Sequence, residues 1–309
     1  MNLLSEPLRL GTRTSALARW QANWVRDQLL SVGVPVELVP ISTRGDRWNE
    51  TPIRNVGSVG VFTKELQRAL LDERIDLAVH SLKDLPTDPV EGLVLAAVPT
   101  RSSPHDVLVA SNAKSIQKLA PDSRVGTGSL RRQAQLLYLR PDLCVSDIRG
   151  NVESRLRKLD EGQFDALILA EAGLSRLTLT DRITQVLTPE VIMPAVGQGA
   201  LGLETRKSDI RTREALGTLN DQATHTAVLA ERALLATLRG GCLAPVGAWA
   251  RHANESLLLD AVVLDVTGKI RLHCQVAGVP QESTALGVHA ANQLLDKGAE
   301  QLIAQSRER

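Results

Sequence analysis

The sequence predicts a mixed α/β protein, with two α/β lobes and a small α+β C-terminal domain that contains an antiparallel sheet. Short apolar strands alternate with helices up to about residue 199, and the pattern starts again after residue 100. Such alternation is typical of parallel strands joined by crossover helices, in two units. After about residue 220, one long helix is followed by three alternating apolar runs and a final helix. At 309 residues, the chain has room for two or three domains.

The first unit covers residues 1–99 and opens with a short apolar strand that leads into a helix. Ser15 precedes this helix at an N-cap position, and Gly33 follows its last turn. A long polar segment at 43–60 has no periodicity, and loops of this length are usually functional or mobile. The predicted elements are strands at 8–12, 34–41, 75–80 and 93–98 and helices at 15–33 and 62–73.

The second unit, residues 100–199, repeats the same order of elements. Its first helix ends before Pro141, because proline removes a backbone donor and clashes with the preceding turn. An apolar run at 164–174 is typical of a buried strand that enters a short helix. The remaining predicted elements are strands at 123–128 and 143–150 and helices at 129–140 and 151–162.

The last part of the chain has a different pattern. A helix at 221–240 ends in Gly240, Gly241 and Cys242. The three runs that follow alternate apolar and polar residues, which indicates strands with one buried face. They lie at 244–252, 256–265 and 269–278, and a single helix is predicted at 282–304.

Composition excludes several classes of protein. The formal net charge is +1 and aromatic residues make up 2%, so neither charge nor base stacking indicates nucleic-acid binding. No apolar run reaches the ~18–20 residues that span a bilayer, and the N-terminus does not resemble a secretory signal. The three cysteines form no CxxC pair, which favours a cytoplasmic protein. The six histidines show no metal-ligand spacing, so no metal site is predicted.

Cations and hydroxyl groups follow nearly every predicted strand. In α/β sheets, ligands bind beyond the carboxyl ends of strands, and arginine grips carboxylates with two parallel donors. The pattern therefore predicts a cleft for a polyanion with several carboxylates, although scattered surface arginines remain an alternative. The five groups are Thr12, Arg13 and Ser15; Thr43, Arg44 and Asp46; His80, Ser81, Lys83 and Asp84; Thr127, Gly128, Ser129, Arg131 and Arg132; and Arg149, Gly150, Asn151 and Arg155.

Three residues in these regions have two interpretations each. Asp84 is an acid among cations, where it would stabilise a developing positive charge or relay a proton; it would otherwise form a salt bridge. Cys242 follows two glycines and would be a nucleophile in a cationic cleft, or a small buried residue. For His80, a structural hydrogen bond is favoured over a role as a ligand. Gly197, Gly199 and Gly202 match GxGxxG, but no helix clearly follows, so a dinucleotide site is not favoured.

Several motifs occur together in a specific order. They are TRTSALARWQ, TRGD, HSLKDLPT, GTGSLRRQAQL, RGNVESRLRKL, DALILAEAGLSRL, PAVGQGALGLE, LAERA and GGCLAPVG. With them, the sequence resembles the porphobilinogen deaminase family over nearly its whole length. The resemblance implies two lobes like those of periplasmic binding proteins and a third domain that carries the cysteine loop. It places domain 1 at 1–99 and 200–219, domain 2 at 100–199 and domain 3 at 220–309.

The resemblance also implies a transferase of tetrapyrrole and haem biosynthesis. A dipyrromethane cofactor would be attached to Cys242 by a thioether. Four porphobilinogen molecules would be condensed onto it with loss of ammonia, and hydrolysis would release hydroxymethylbilane. The implied enzyme is a cytoplasmic monomer whose partner is the small-molecule substrate, with no nucleic acid and no membrane.

The resemblance assigns roles residue by residue. Asp84 is the catalytic residue, which would face pyrrole nitrogens and stabilise the cation formed as ammonia leaves. The residues that would bind the cofactor, besides Cys242, are Ser81, Lys83, Thr127, Ser129, Arg131, Arg132 and Arg155. The residues that would bind the substrate are Arg13, Ser15, Arg54, Phe62, Arg149 and Arg176.

The sequence departs from the family in the loop before the second helix. Two lysines that are usual there are replaced by Asn55 and Val59, and Arg54 is a candidate substitute for one of them. Two alternatives therefore remain open at this point. One is a non-catalytic two-lobed protein that binds a carboxylate-rich small molecule, and the other is a degenerate paralogue of low activity.

Overall fold

A computed structural model describes residues 6–41, 63–241 and 244–307 of the chain. The strands are β1 (Leu8–Thr12), β2 (Val36–Pro40), β3 (Leu77–Ser81), β4 (Leu93–Ala97), β5 (Asp106–Ala110), β6 (Arg124–Gly126), β7 (Cys144–Ser146), β8 (Ala166–Ala170), β9 (Gln185–Leu187), β10 (Leu201–Arg206), β11 (Val246–Ala253), β12 (Ser256–Leu264) and β13 (Arg271–Gly278). The helices are α1 (Ala16–Ser31), α2 (Lys64–Leu71), α3 (Leu130–Leu139), α4 (Val152–Asp160), α5 (Glu171–Arg176), α6 (Ile210–Gly217), α7 (Gln222–Thr237), α8 (Ser283–Asp296) and α9 (Ala299–Arg307).

The chain divides into two compact units, each of which contains two separate stretches. Unit 1 is Met1–Arg101 with Ala200–His225, and unit 2 is Ser102–Gly199 with Thr226–Arg309. Unit 2 therefore contains both the predicted second lobe and the C-terminal sheet. The division into three domains stays a prediction.

Unit 1 is built on a five-stranded sheet in the order β2-β1-β3-β10-β4. Strand β1 is parallel to β2 and β3, whereas β10 is antiparallel to β3 and β4. Strand β10 is absent from the sequence prediction, and its antiparallel pairing makes this sheet mixed, whereas a parallel sheet was expected. The Ser15 hydroxyl caps α1 by accepting a hydrogen bond from the Ala18 N–H at 3.4 Å, as its position predicted.

The first sheet of unit 2 has the order β7-β6-β8-β5-β9. Strand β6 is parallel to β7 and β8, and β5 is antiparallel to β8 and β9. Both β5 and β9 are absent from the sequence prediction. Strand β5 is buried along four of its five residues, so it shows no alternation that would indicate a direction or a solvent face.

The second sheet of unit 2 is the predicted antiparallel one, in the order β11-β12-β13. The prediction of a mixed α/β fold with this small sheet is confirmed. The single final helix was wrong, because α8 and α9 are separate helices. Gly298 lies between them with φ +93°, a backbone angle that ends a helix and favours glycine. In the described part of the chain, no helix has the length and apolar character needed to cross a membrane.

Candidate active site

A small pocket in unit 1 gathers side chains from the end of β3 and the start of α1. Arg13, Ser15, Ser81 and Asp84 all line it. A short 3₁₀ turn, Leu82–Asp84, follows β3 directly and carries Asp84 on its exposed side. These four residues were predicted from the sequence, and unit 1 brings them together.

Hydrogen bonds and a buried side chain anchor the turn that carries Asp84. The Leu82 N–H donates to the Ala200 carbonyl at 3.0 Å, and the Leu82 side chain is buried. The Gln21 side-chain amide donates to the Ser81 hydroxyl at 2.7 Å. Lys83, half-buried, follows these two anchored residues and directly precedes Asp84. The acid therefore occupies a defined place in the pocket because the backbone around it is anchored by buried contacts.

Behind the pocket lies a buried carboxylate that the sequence analysis missed. Glu204 on β10 pairs with the His80 ring, with 3.0 Å between Nε2 and Oε2, and accepts from the Gln67 amide at 3.0 Å. The structural hydrogen bond predicted for His80 is confirmed. A buried glutamate in an apolar strand requires partners, which is the signal that marks Glu204 in the sequence.

A second group of predicted residues lies in unit 2, around the carboxylate of Asp106. Arg131 Nη1 donates to Asp106 Oδ2 at 2.7 Å. Arg132 donates to Oδ1 from Nε at 3.0 Å and from Nη2 at 2.6 Å. Asp106 has no exposed surface, and both arginines are buried. The sequence analysis predicted the two arginines but missed the acid that orients them.

The net charge of this cluster is positive, since two guanidiniums share one carboxylate. Burial alone would raise the pKa of Asp106, but Arg131 and Arg132 outweigh it and hold that pKa well below its usual range. Gln198 completes the shell by donating to Asp106 Oδ1 at 2.9 Å. Arg131 Nε is buried and has no hydrogen-bond partner among the described residues. Excess buried positive charge is costly, and it is typical of a site that receives an anion.

The turn before α4 carries two further predicted arginines. Arg149 Nε pairs with Asp147 at 2.8 Å, and the Arg149 side chain keeps 27% of its surface exposed. Arg155 Nε donates to the Gly150 carbonyl at 2.8 Å. Asn151 caps α4 by accepting from the Ser154 N–H at 2.8 Å. Both arginines are thus held at a helix N-terminus, where the helix dipole also favours anions.

Two more predicted hydroxyl residues lie before α3, where Thr127 Oγ1 accepts from the Ser129 N–H at 3.3 Å. Thr127 is buried and Ser129 is half-buried. This contact holds the turn that leads into the helix carrying Arg131 and Arg132.

Arg176 at the end of α5 is largely buried and donates to the Gly199 carbonyl at 2.7 Å. Desolvation lowers the pKa of its guanidinium to about 10. Gly199 has φ +86°, and a Cβ there would lie 2.5 Å from the carbonyl oxygens of Ser102 and Ser103. Only glycine fits that position. Gly199 therefore serves close backbone packing, and strand β10 follows it instead of the helix of a dinucleotide site.

Three predicted site residues lie outside the described part of the chain. They are Arg54, Phe62 and Cys242. The polar segment at 43–60 also lies outside it.

The chain matches two family models over most of its length. Residues 8–214 match the porphobilinogen deaminase, dipyromethane cofactor binding domain, and residues 225–296 match the porphobilinogen deaminase C-terminal domain. The chain belongs to the porphobilinogen deaminase family. A porphobilinogen deaminase of Syntrophotalea carbinolica is 47% identical over 302 residues, which cover 97% of this chain and 96% of that protein.

Solved structures of periplasmic binding proteins are similar to part of this porphobilinogen deaminase family member. A TRAP periplasmic solute binding protein of Desulfovibrio salexigens has a TM-score of 0.43 and 11% identity, covering 70% of this chain and 73% of that one. The periplasmic aliphatic sulphonate binding protein of Escherichia coli has a TM-score of 0.40 and 16% identity, covering 76% of this chain and 71% of that one.

Membership of the deaminase family makes the chain a transferase of tetrapyrrole biosynthesis with a dipyrromethane cofactor. The described residues fit such a group. Dipyrromethane is a polycarboxylate, and unit 2 holds a buried cluster with net positive charge and an unpartnered Arg131 Nε. Guanidinium groups are the donors that bind carboxylates best.

Proposed function

We propose that the chain is a hydroxymethylbilane synthase in which the two units do different work. It condenses four porphobilinogen molecules with loss of ammonia and releases hydroxymethylbilane by hydrolysis. The observation that carries this proposal is the buried pair Arg131 and Arg132, which shares one carboxylate and so retains net positive charge. A substrate that carries an acetate and a propionate on each ring is the ligand that such a cluster suits.

Unit 2 supplies most of the residues proposed to hold carboxylates. Arg131 and Arg132 offer their remaining donors, and Arg149, in the turn before α4, is partly exposed. When bound through Cys242, dipyrromethane supplies the carbon nucleophile to which the first substrate is joined. The residues proposed to bind this cofactor are Cys242, Ser81, Lys83, Thr127, Ser129, Arg131, Arg132 and Arg155. The residues proposed to bind the substrate are Arg13, Ser15, Arg54, Phe62, Arg149 and Arg176.

Asp84 is proposed as the catalytic residue. Its carboxylate is exposed to the pocket of unit 1, and the anchored turn Leu82–Asp84 prevents it from moving far. Positive charge develops on the substrate as its carbon–nitrogen bond breaks and ammonia leaves. A fixed carboxylate stabilises that charge more in the transition state than in the ground state, which lowers the barrier.

We also propose that the enzyme works as a monomer in the cytoplasm. The resemblance of the sequence to the family implies a monomer. The three cysteines show no CxxC pair, which supports a reducing compartment.

The experiment that tests the function follows ammonia release from porphobilinogen by the purified protein, together with formation of the linear tetrapyrrole. The proposal predicts four molecules of ammonia for each hydroxymethylbilane released. A non-catalytic binding protein, which family membership does not favour, would bind porphobilinogen without releasing ammonia. A degenerate paralogue would carry the cofactor and release almost no product. Either result would overturn the proposed function.

A further inference from the structure

The pocket of unit 1 contains a histidine that the proposed chemistry does not use. The His80 ring lines the pocket, although its side chain is only 2% exposed. Its one hydrogen bond among the described residues joins Nε2 to Glu204 Oε2 at 3.0 Å. Its other nitrogen, Nδ1, thus has no donor or acceptor partner in the described chain.

The surroundings of Glu204 determine which nitrogen carries the proton. The carboxylate accepts from the Gln67 amide on Oε1, so it already behaves as an acceptor on that side. We assign Glu204 as the acceptor toward His80 as well, so Nε2 is the donor of this pair. In a neutral ring the proton then lies on Nε2, and Nδ1 is an acceptor.

The chemistry of the substrate suggests what this acceptor binds. Arg13 in the same pocket is a donor and suits a carboxylate, whereas the substrate's aminomethyl group is a primary ammonium with three donors. Asp84, an unprotonated Nδ1 and the hydroxyl groups of the pocket are able to accept from it. A hydrogen bond from a charged group to His80 would be strong because the His80 side chain is only 2% exposed, so water competes poorly for it.

We propose that His80 is a specificity-determining residue whose Nδ1 accepts a hydrogen bond from the ammonium group of porphobilinogen, with Glu204 as the positioning residue that sets its tautomer. This inference rests on the proposed function. It adds a selective element, because a carboxylated pyrrole without the aminomethyl group would satisfy the arginines and give His80 Nδ1 no donor.

The test uses two substitutions, each of which retains the hydrogen-bonding role of one imidazole nitrogen. In His80→Gln, the side-chain amide replaces Nε2 as donor to Glu204 but offers no acceptor in place of Nδ1. The proposal predicts a ten- to hundred-fold loss in kcat/KM, mainly through KM, on the scale of about one hydrogen bond to a charged group. Melting temperature and intact mass should match the wild type. His80→Asn should recover part of KM and lose thermal stability, because its amide oxygen replaces Nδ1 and the bond to Glu204 is broken.

Two further measurements separate the possible outcomes. The ¹⁵N NMR signals of the resting holoenzyme should show Nε2 protonated and Nδ1 unprotonated, and a protonated Nδ1 would overturn the proposal. His273→Gln, at a half-exposed histidine beside Asp260 in unit 2, is the matched control and should behave as the wild type. If His80→Gln keeps the wild-type KM, His80 is structural only and the inference is wrong. If the wild type releases no ammonia at all, the proposed function fails instead.

Discussion

The two units each place a carboxylate among cations, but the two carboxylates differ in burial. In unit 1, one carboxylate, Asp84, is exposed to a pocket that also contains Arg13 and hydroxyl groups. In unit 2, one carboxylate, Asp106, is fully buried beneath Arg131 and Arg132. The exposed acid is available to a reacting group, whereas the buried acid is saturated by its arginines. A carboxylate among cations can therefore take part in the reaction when it is exposed, whereas a buried one positions the cations around it.

The largest expected effect is the loss of stability when Asp106 is replaced. Asp106→Asn should destabilise the protein by about 3–5 kcal/mol, because it leaves two buried guanidiniums uncompensated. Urea unfolding measures this loss. The matched control is Asp142→Asn, which breaks the exposed pair with Arg140 and should cost below about 1 kcal/mol. Equal losses in the two variants would remove the distinction between buried and exposed acids.

The same residue gives a pH prediction. Because the folded state lowers the pKa of Asp106, the unfolded chain takes up a proton first as the pH falls. The stability that Asp106 provides is therefore complete above about pH 4, the ordinary range of an aspartate, and declines below it. The wild type should lose more unfolding free energy than Asp106→Asn on acidification. Parallel pH profiles for the two proteins would contradict the assignment.

The next effect is on the chemical acid in unit 1. Asp84→Asn should lower kcat by about a hundred- to a thousand-fold, which is the usual cost of removing a preorganised electrostatic contact. Unlike Asp106→Asn, it should leave the urea midpoint and the attached cofactor unchanged, because Asp84 is exposed. Steady-state kinetics and intact mass measure the two properties. Normal turnover would refute the catalytic role.

A smaller effect is expected from the partly exposed arginine. Arg149→Leu should weaken substrate binding about ten- to a hundred-fold, since a charge-assisted contact contributes about 1.5–3 kcal/mol. Arg149→Lys should restore only part of this affinity, because lysine lacks the planar fork. Arg124→Leu removes another exposed arginine, paired with Asp165, and serves as the control. If both leucine variants have the wild-type KM, Arg149 does not bind the substrate.

The smallest effect tests the anchoring of the catalytic turn. Gln21→Leu removes the 2.7 Å hydrogen bond to the Ser81 hydroxyl. With a single neutral hydrogen bond lost, kcat/KM should fall about two- to tenfold. A loss as large as that of Asp84→Asn would mean that Gln21 contacts the substrate itself.

Local patterns predicted much of this fold, and long-range pairings did not. The alternation of apolar and polar residues indicated the antiparallel sheet of β11, β12 and β13. The expectation of one buried face was wrong for β12, whose two faces both contribute to buried clusters. Strands β5 and β10 were missed, since a strand that is buried along nearly its whole length shows no alternation. The break at Gly298 was missed because apolar residues continue on both sides of it.

In the candidate site, too, contacts between residues far apart in sequence were not predicted. Ser81, Lys83 and Asp84 are adjacent in sequence, so their grouping followed from one predicted strand end. Glu204 reaches His80 from 124 residues away, and Asp106 reaches Arg131 from 25 residues away. The local pattern of apolar and polar residues does not indicate such long-range contacts. An acid within an apolar strand is the only local sign that a distant partner exists.

The central claim is that Cys242 carries the cofactor, and the intact mass of the active protein tests it most directly. Cys274 is buried, and burial raises the pKa of its thiol to about 11, so it stays protonated and unreactive. Cys144 is exposed and provides the matched control. Wild type, Cys144→Ser and Cys274→Ser should each carry the mass of the polypeptide plus dipyrromethane, and Cys242→Ser should carry the polypeptide mass alone. An active wild-type protein with only its polypeptide mass would contradict the account.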